Sequence, residues 1–295
     1  MLQLEELKLD GLKRLEQSRQ SKVLILAASS LEMEWLPELY NLLIEIGRTE
    51  RLDVLLYGRG GEVNAARRIG LLLHEFTENL CFLVPYHCQS SCTILALSGH
   101  EIIAGDLSIF SPIDPFLNAT DAEGMPGSLA SEDVRLFAEM SKNWFGLDVK
   151  NEEVRTQLLA SVAGSIFPTT LTSLYRSTLE LRHIAEELLA FQLPDTTTEY
   201  RAEIVNQLLF GYHSHSYALT RKDLTEMGLT ISRNEEVETI TWEIAQELNS
   251  FIGGGLRQTP QDPRNDVLLS TSARTMVRQR HLDVIAPVWK EINVA

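Results

Sequence analysis

Lys22-Val-Leu-Ile-Leu-Ala-Ala28 is an unbroken apolar run between polar flanks, the pattern of a strand buried on both faces. Helical periodicity follows over 31–46, then a second apolar strand over 52–57 and a glycine turn, Gly58-Arg-Gly-Gly61. The alternation continues with a helix over 62–75, a strand over 80–85, a polar turn over 87–91, a helix over 92–98 and a strand over 101–104. Strands alternating with helices of this length form βαβ units. The expected class is therefore α/β, with a mostly parallel sheet and right-handed crossovers.

On the N-terminal side, residues 1–20 place Leu2, Leu4, Leu7, Leu12 and Leu15 among charges, as an amphipathic helix does. On the other side, NATDAEGMPGS over 118–128 lacks periodicity and carries turn formers, so a mobile surface loop is expected, with Asp121 and Glu123 as solvated charge. Helical periodicity returns over 131–145, 170–190 and 198–210. Thr220-Arg-Lys-Asp223 has the form of a capping box opening a short helix that ends at Gly228. A further helix is expected over 235–251, then a GGG run and a stretch rich in Pro, Asn and Asp over 258–266. No internal repeat is present. Trp35, Trp144, Trp242 and Trp289 are scattered and read as packing residues.

The chain has 295 residues, 44% of them hydrophobic and 23% charged, which excludes disordered and fibrous classes. Lys and Arg total 26 against 41 Asp and Glu, a formal charge of −15, and no basic patch is visible. Such a field repels phosphate, so nucleic acid is not an expected partner. Three cysteines, Cys81, Cys88 and Cys92, do not form a secreted disulfide framework and fit a reducing cytoplasm. No segment approaches 18 continuous apolar residues, so neither export nor a membrane span is expected.

Two turns carry chemistry. In Tyr57-Gly-Arg-Gly-Gly-Glu62 the glycines let backbone approach a ligand, and the following helix offers unpaired N–H groups. The pattern is neither of the nucleotide-binding glycine motifs, and an ordinary tight turn satisfies it too. Gln89-Ser-Ser-Cys-Thr-Ile-Leu-Ala96 again follows a strand and opens an apolar helix. A serine there profits from the helix dipole and from the next N–H as an oxyanion donor, while the same position suits a plain N-cap at Ser90 or Ser91.

Together these segments resemble the Clp protease and crotonase superfamily, and most of all its serine dehydrogenase proteinase family. Ser21-Lys-Val-Leu-Ile-Leu resembles the family's first strand, and Leu55-Leu-Tyr-Gly-Arg-Gly-Gly61 its strand and "TPGG" turn. Ser90-Ser-Cys-Thr-Ile-Leu-Ala-Leu97 resembles its "SGGTLIAL" nucleophile helix, Glu101-Ile-Ile its next strand and Ser111-Pro-Ile-Asp-Pro115 its "GPVDP". Ser214-His-Ser-Tyr-Ala-Leu resembles its "HDYPI", with the short helix to Leu229 following. The resemblance covers roughly residues 10 to 231. It implies a crotonase/Clp-like ββα spiral core over 1–231; the unmatched middle is expected, from its helical periodicity, to be a helical insertion over about 118–210, and the tail a C-terminal helical extension over 232–295.

The resemblance also implies roles. Ser90 matches the nucleophile, the N–H groups of Gly61 and Ser91 the oxyanion hole, and Asp114 and His215 the partners that orient and deprotonate. The implied activity is a cofactor-free serine peptidase acting on peptide or protein substrates through an acyl-enzyme, in a homo-oligomer. A groove that binds peptides or assembles without catalysis is the alternative, and acyl-CoA chemistry of the crotonase kind a third reading. The family's two glycines after the serine are Ser91 and Cys92 here, its turn proline is Arg59, and the aspartate after its histidine is Ser216, so side chains stand where the family has space. His213 is the substitute base, and Lys142 the lysine nearest downstream for a Ser/Lys dyad. Cys88, Cys92, His87 and His100 make a poor ligand set, and the thiols read as buried and free.

Overall fold

The computed structural model describes residues 7–120, 126–252, 264–281 and 287–292. Its N-terminal half follows the alternation read above. Helix α1 (Gly11–Arg19) precedes strand β1 (Lys22–Ala28), and a one-turn 3-10 segment at Met33–Trp35 leads into α2 (Leu36–Ile46). Then come β2 (Thr49–Gly58), α3 (Val63–His74), β3 (Thr77–Val84), β4 (His87–Cys88), α4 (Ser91–Ala96), β5 (Glu101–Ala104) and β6 (Ile109–Phe110). β1, β2, β3 and β5 lie side by side in parallel, and β4 pairs with β2 and β6.

The alternation of Cβ directions along β1 divides the core. Leu24, Leu26 and Ala28 pack with α2, α3 and α4 on one face, and Val23, Ile25 and Ala27 pack with α1 on the other. Every residue of β1 after Lys22 is buried, which is why the strand reads as a continuous apolar run.

The middle of the chain departs from the expected loop. Phe116–Thr120 (β7) and Pro126–Ala130 (β8) pair as an antiparallel two-stranded sheet, so the flanks of the 118–128 segment are strands, and Asp121 and Glu123 lie outside the described residues. Asn, Ala, Gly, Ser and Pro dominate these strands and carry little strand propensity, which hides them from pattern reading. Helices α5 (Ser131–Phe145), α6 (Glu152–Ser165), α7 (Pro168–Gln192) and α8 (Thr198–Phe210) follow. α7 and α8 enter the first core layer through Leu181, Ile184, Leu188, Val205 and Leu208. Helix α6 was not foreseen, and it buries none of its residues.

Next come α9 (Arg221–Glu226), opened by the expected Thr220–Asp223 capping box, β9 (Ile231–Ser232) and α10 (Glu235–Phe251). The remainder corrects the expectation of a helical extension over 232–295. β10 (Arg264–Ser270), β11 (Thr275–Arg280) and β12 (Val288–Ile292) extend the main sheet antiparallel from the free edge of β1, while the GGG run and most of the 258–266 stretch lie outside the described residues. The sheet order is β12-β11-β10-β1-β2-β3-β5-β9, so the sheet is mixed, with the parallel pairings from β1 to β9 and the antiparallel ones from β1 to β12. β11 hid itself because Thr275, Arg278 and Gln279 are buried beside Met276 and Val277, erasing the alternation that marks a strand.

Among the described residues no single helix is long and apolar enough to cross a membrane; α6 and α7 meet both conditions only together, across a 100° bend. Beneath the sheet, Asp53 is fully buried and accepts Arg19 Nε at 3.0 Å, Arg19 Nη2 at 3.2 Å and Ser21 Oγ at 2.6 Å. Asp53→Ala strips the Arg19 guanidinium of its main partner, and chemical denaturation should read a loss of about 3–5 kcal/mol.

Candidate active site

Gly58, the last residue of β2, pairs with Cys88 of β4, so the turns leaving these strands lie side by side. Past the strand end, Leu31 pairs in parallel with Gly61: Leu31 N–H donates to Gly60 O at 2.7 Å, and Glu62 N–H to Leu31 O at 2.8 Å. Gly60 and Gly61 have φ of 120° and 136°, where a side chain is strained, and neither has room for one. A Cβ on Gly61 would stand 2.2 Å from Leu31 N, and one on Gly60 would stand 2.7 Å from Ser90 Cβ.

Ser90 occupies the N-cap of α4 with φ 53° and ψ −123°, and its side chain makes no capping bond. Ser90 thus holds a strained conformation without doing a cap's work. The strain is maintained by Ser90 N–H donating to Ser111 Oγ at 2.7 Å, while Ser111 N–H donates to Thr93 Oγ1 at 3.2 Å. The adjacent Ser91 is nearly fully buried, and its hydroxyl donates to Gly61 O at 2.6 Å, tying the second turn to the first. Cys92 is fully buried, and its sulfur accepts the Gly60 N–H. The side chains of Ser91 and Cys92 are thus spent on holding the turns. Among the described residues, the N–H groups of Gly61 and Ser91 have no acceptor.

Asp114 follows on the loop after β6. Ile113 N–H donates to Leu208 O at 3.1 Å, and Phe110 and Leu219 exchange backbone bonds at 2.9 Å, which brings the 211–219 segment over the loop. There His215 Nδ1 lies 2.8 Å from Asp114 Oδ1; with the carboxylate accepting, Nδ1 carries the proton. Asp114 is buried and His215 about one-third exposed.

Ser90, Ser91, Gly61 and Asp114 line one cavity of about 210 Å³, and His215 is one hydrogen bond away from its wall. Four of the five residues proposed from the sequence therefore share one cavity, and the fifth, His215, pairs with one of them. Sequence reasoning missed the opposite wall, Ser177, Glu180 and Leu181 of α7. Their spacing of three and four residues places them on one helix face, and that was the available signal. It also missed Leu31 and Ser111, which hold the two turns through contacts remote in sequence.

The other candidates stand apart. His213 is exposed, and it is His215 that pairs with Asp114. Lys142 is exposed on α5 and does not line the cavity. Cys88 and Cys92 are fully buried, and burial pushes the Cys92 thiol up to about 12. Among the described residues no group of three or more His, Cys, Asp or Glu could hold a metal. Arg59 reaches from the glycine turn to donate to His87 Nε2 at 3.2 Å, a second link between the two turns.

No protein-family model matches the chain. Two curated proteins of Methanocaldococcus jannaschii are similar to it, both described as uncharacterized. MJ1495 is 21% identical over 189 residues, covering 62% of this chain and 52% of that one. MJ0137 is 23% identical over 192 residues, covering 64% and 57%. The chain thus spans just over half the length of the curated relatives it matches. Among solved structures, the 1510-N membrane-bound stomatin-specific protease aligns as a serine-to-alanine mutant with 13% identity, a TM-score of 0.44, and coverage of 78% of this chain and 86% of that one. A lysine-to-alanine mutant of the same protease, in complex with a substrate peptide, aligns with 13% identity, a TM-score of 0.42, and coverage of 72% and 76%.

Two outcomes follow for the turns. Ser111→Ala leaves the Ser90 N–H without its acceptor and should lower stability in urea by about 1–3 kcal/mol. Burial, aided by the Arg59 charge, holds His87 below its ordinary pKa. The unfolded chain then takes up a proton that the native chain resists, so this part of the stability is present above about pH 6.5 and falls away below it. Urea midpoints at pH 7.5 and 5.5 should differ less in His87→Gln than in the parent.

Proposed function

We propose that this chain is a serine peptidase built on a Clp-like core, as its resemblance to the serine dehydrogenase proteinase family implies. The single observation that carries the reading is Ser90: a strained, non-capping serine at a helix N-terminus, sharing a cavity with two acceptor-free N–H groups and with the carboxylate that orients His215.

In this mechanism a peptide carbonyl enters between the turns. Ser90 Oγ attacks its carbon while His215 Nε2 takes the hydroxyl proton, and Asp114 keeps the imidazole in the tautomer that permits this. The carbonyl oxygen gains negative charge as the tetrahedral intermediate forms, and the N–H groups of Gly61 and Ser91 stabilise it. Collapse breaks the C–N bond, and His215 returns the proton to the leaving amine. Water, deprotonated by the same histidine, then hydrolyses the acyl-enzyme and regenerates Ser90. No step calls for a cofactor.

Treatment of the purified chain with a fluorophosphonate probe should give a stoichiometric adduct that mass spectrometry places on Ser90. Ser90→Ala should abolish the adduct, Ser91→Ala should retain it, and His215→Ala should slow labelling by at least about 10³-fold. Absence of an adduct on folded protein would overturn the peptidase reading and leave peptide binding or assembly in its place.

A further inference from the structure

The cavity beside Ser90 has a chemical character that the reaction does not require. Ile94, Ile113 and Leu181 form walls that are almost wholly buried, and Val63 adds a fourth apolar side chain. Two carboxylates also line it, Asp114 and Glu180, and no Lys, Arg or His is among the lining residues. Asp114 is engaged with His215. Glu180 is exposed on α7, and its Oε1 accepts Asn64 Nδ2 of α3 at 2.9 Å, which leaves Oε2 with no hydrogen bond among the described residues. One turn further along, Arg67 of α3 forms a two-bond pair with Glu187 of α7, so the wall carrying Glu180 is clamped at a second point.

A volume of about 210 Å³ suits one amino-acid side chain and not a cofactor or a folded segment. An apolar shaft beside an exposed carboxylate is complementary to an apolar stem ending in a cation. The net charge of −15 favours the same sign of ligand. We infer that this cavity is a specificity pocket for a lysine or arginine side chain, with Glu180 as the residue that recognises its charge. Because Ser90 and Gly61 line the same space, the selected side chain belongs to the residue supplying the attacked carbonyl, so the substrates are peptides cleaved after basic residues. This identification of the substrate rests on the peptidase reading; the charge preference of the cavity does not.

The two are separated by measuring binding without catalysis. Fluorescently labelled, blocked tetrapeptides that differ only in a final Lys, Arg, Leu or Glu are titrated into the full chain carrying Ser90→Ala, with anisotropy as the readout. The Lys and Arg peptides should bind about tenfold tighter than the Leu peptide, and the Glu peptide weakest. Glu180→Gln, which keeps an acceptor for Asn64, should bring the Lys and Leu peptides to equal affinity. Glu187→Gln, whose carboxylate pairs with Arg67 and does not line the cavity, should leave the preference intact. Equal affinity for the Lys and Leu peptides, no binding of either, or a preference that survives Glu180→Gln would overturn the inference. Fluorophosphonate labelling of Ser90 in the parent chain scores the peptidase reading independently: an adduct without basic preference sinks the pocket assignment alone, and basic preference without an adduct sinks catalysis alone.

Discussion

The site depends on a backbone pairing one step beyond the sheet, where Leu31 and Gly61 continue the β1–β2 register after both strands have ended. That pairing decides where the Gly61 N–H points, and it exists only because residue 61 lacks a Cβ. Its support comes from an unexpected quarter. Glu32, next to Leu31, accepts Arg278 Nη2 at 2.8 Å and Arg280 Nη2 at 2.7 Å, and both arginines also bond Asp266. Arg278 and Asp266 are almost fully buried, so these charges are held in low dielectric by one another. The last strands of the chain thereby brace the first turn of the site.

The second turn is organised on a different principle. Ser90 adopts a left-handed φ because α4 begins directly after β4, and Ser111, Thr93 and Ser91 each contribute a hydroxyl that satisfies a neighbouring backbone group. The result is a pair of turns joined by Ser91 to Gly61 and by Arg59 to His87. Rigid turns hold oxyanion donors in place before charge develops, which is where such donors gain their effect.

Residues 22–104 were readable because parallel strands covered on both sides must be apolar throughout, and the intervening turns must carry glycine or small polar residues. Ser90 and Gly61 were reachable for the same reason, since each sits in a turn that follows a plain strand, whereas Asp114 and His215 were reached only through the resemblance of their blocks to the serine dehydrogenase proteinase family. The C-terminal strands were not, because Asp266, Arg278 and Gln279 are buried through paired charge and amide contacts and so imitate surface sequence. The α7 wall was readable as a helix, but which of its faces meets Ser90 is set by packing on α3 and α4, and no local pattern records that.

The order of strands gives β1 two neighbours of very different age. β2 follows it almost at once, whereas β10, which closes its other side from Val267 opposite Ala28 to Ser270 opposite Ile25, comes only after all the elements from β2 to α10. Until β10 emerges, the nascent chain therefore carries a strand, apolar throughout after Lys22, with one row of amide and carbonyl groups open, a template on which other nascent chains could pair. Closure of that row is a late and non-local event. The next strand, β11, seats Arg278 and Arg280 against Glu32, so the bracing of the first turn waits on the same distant segment.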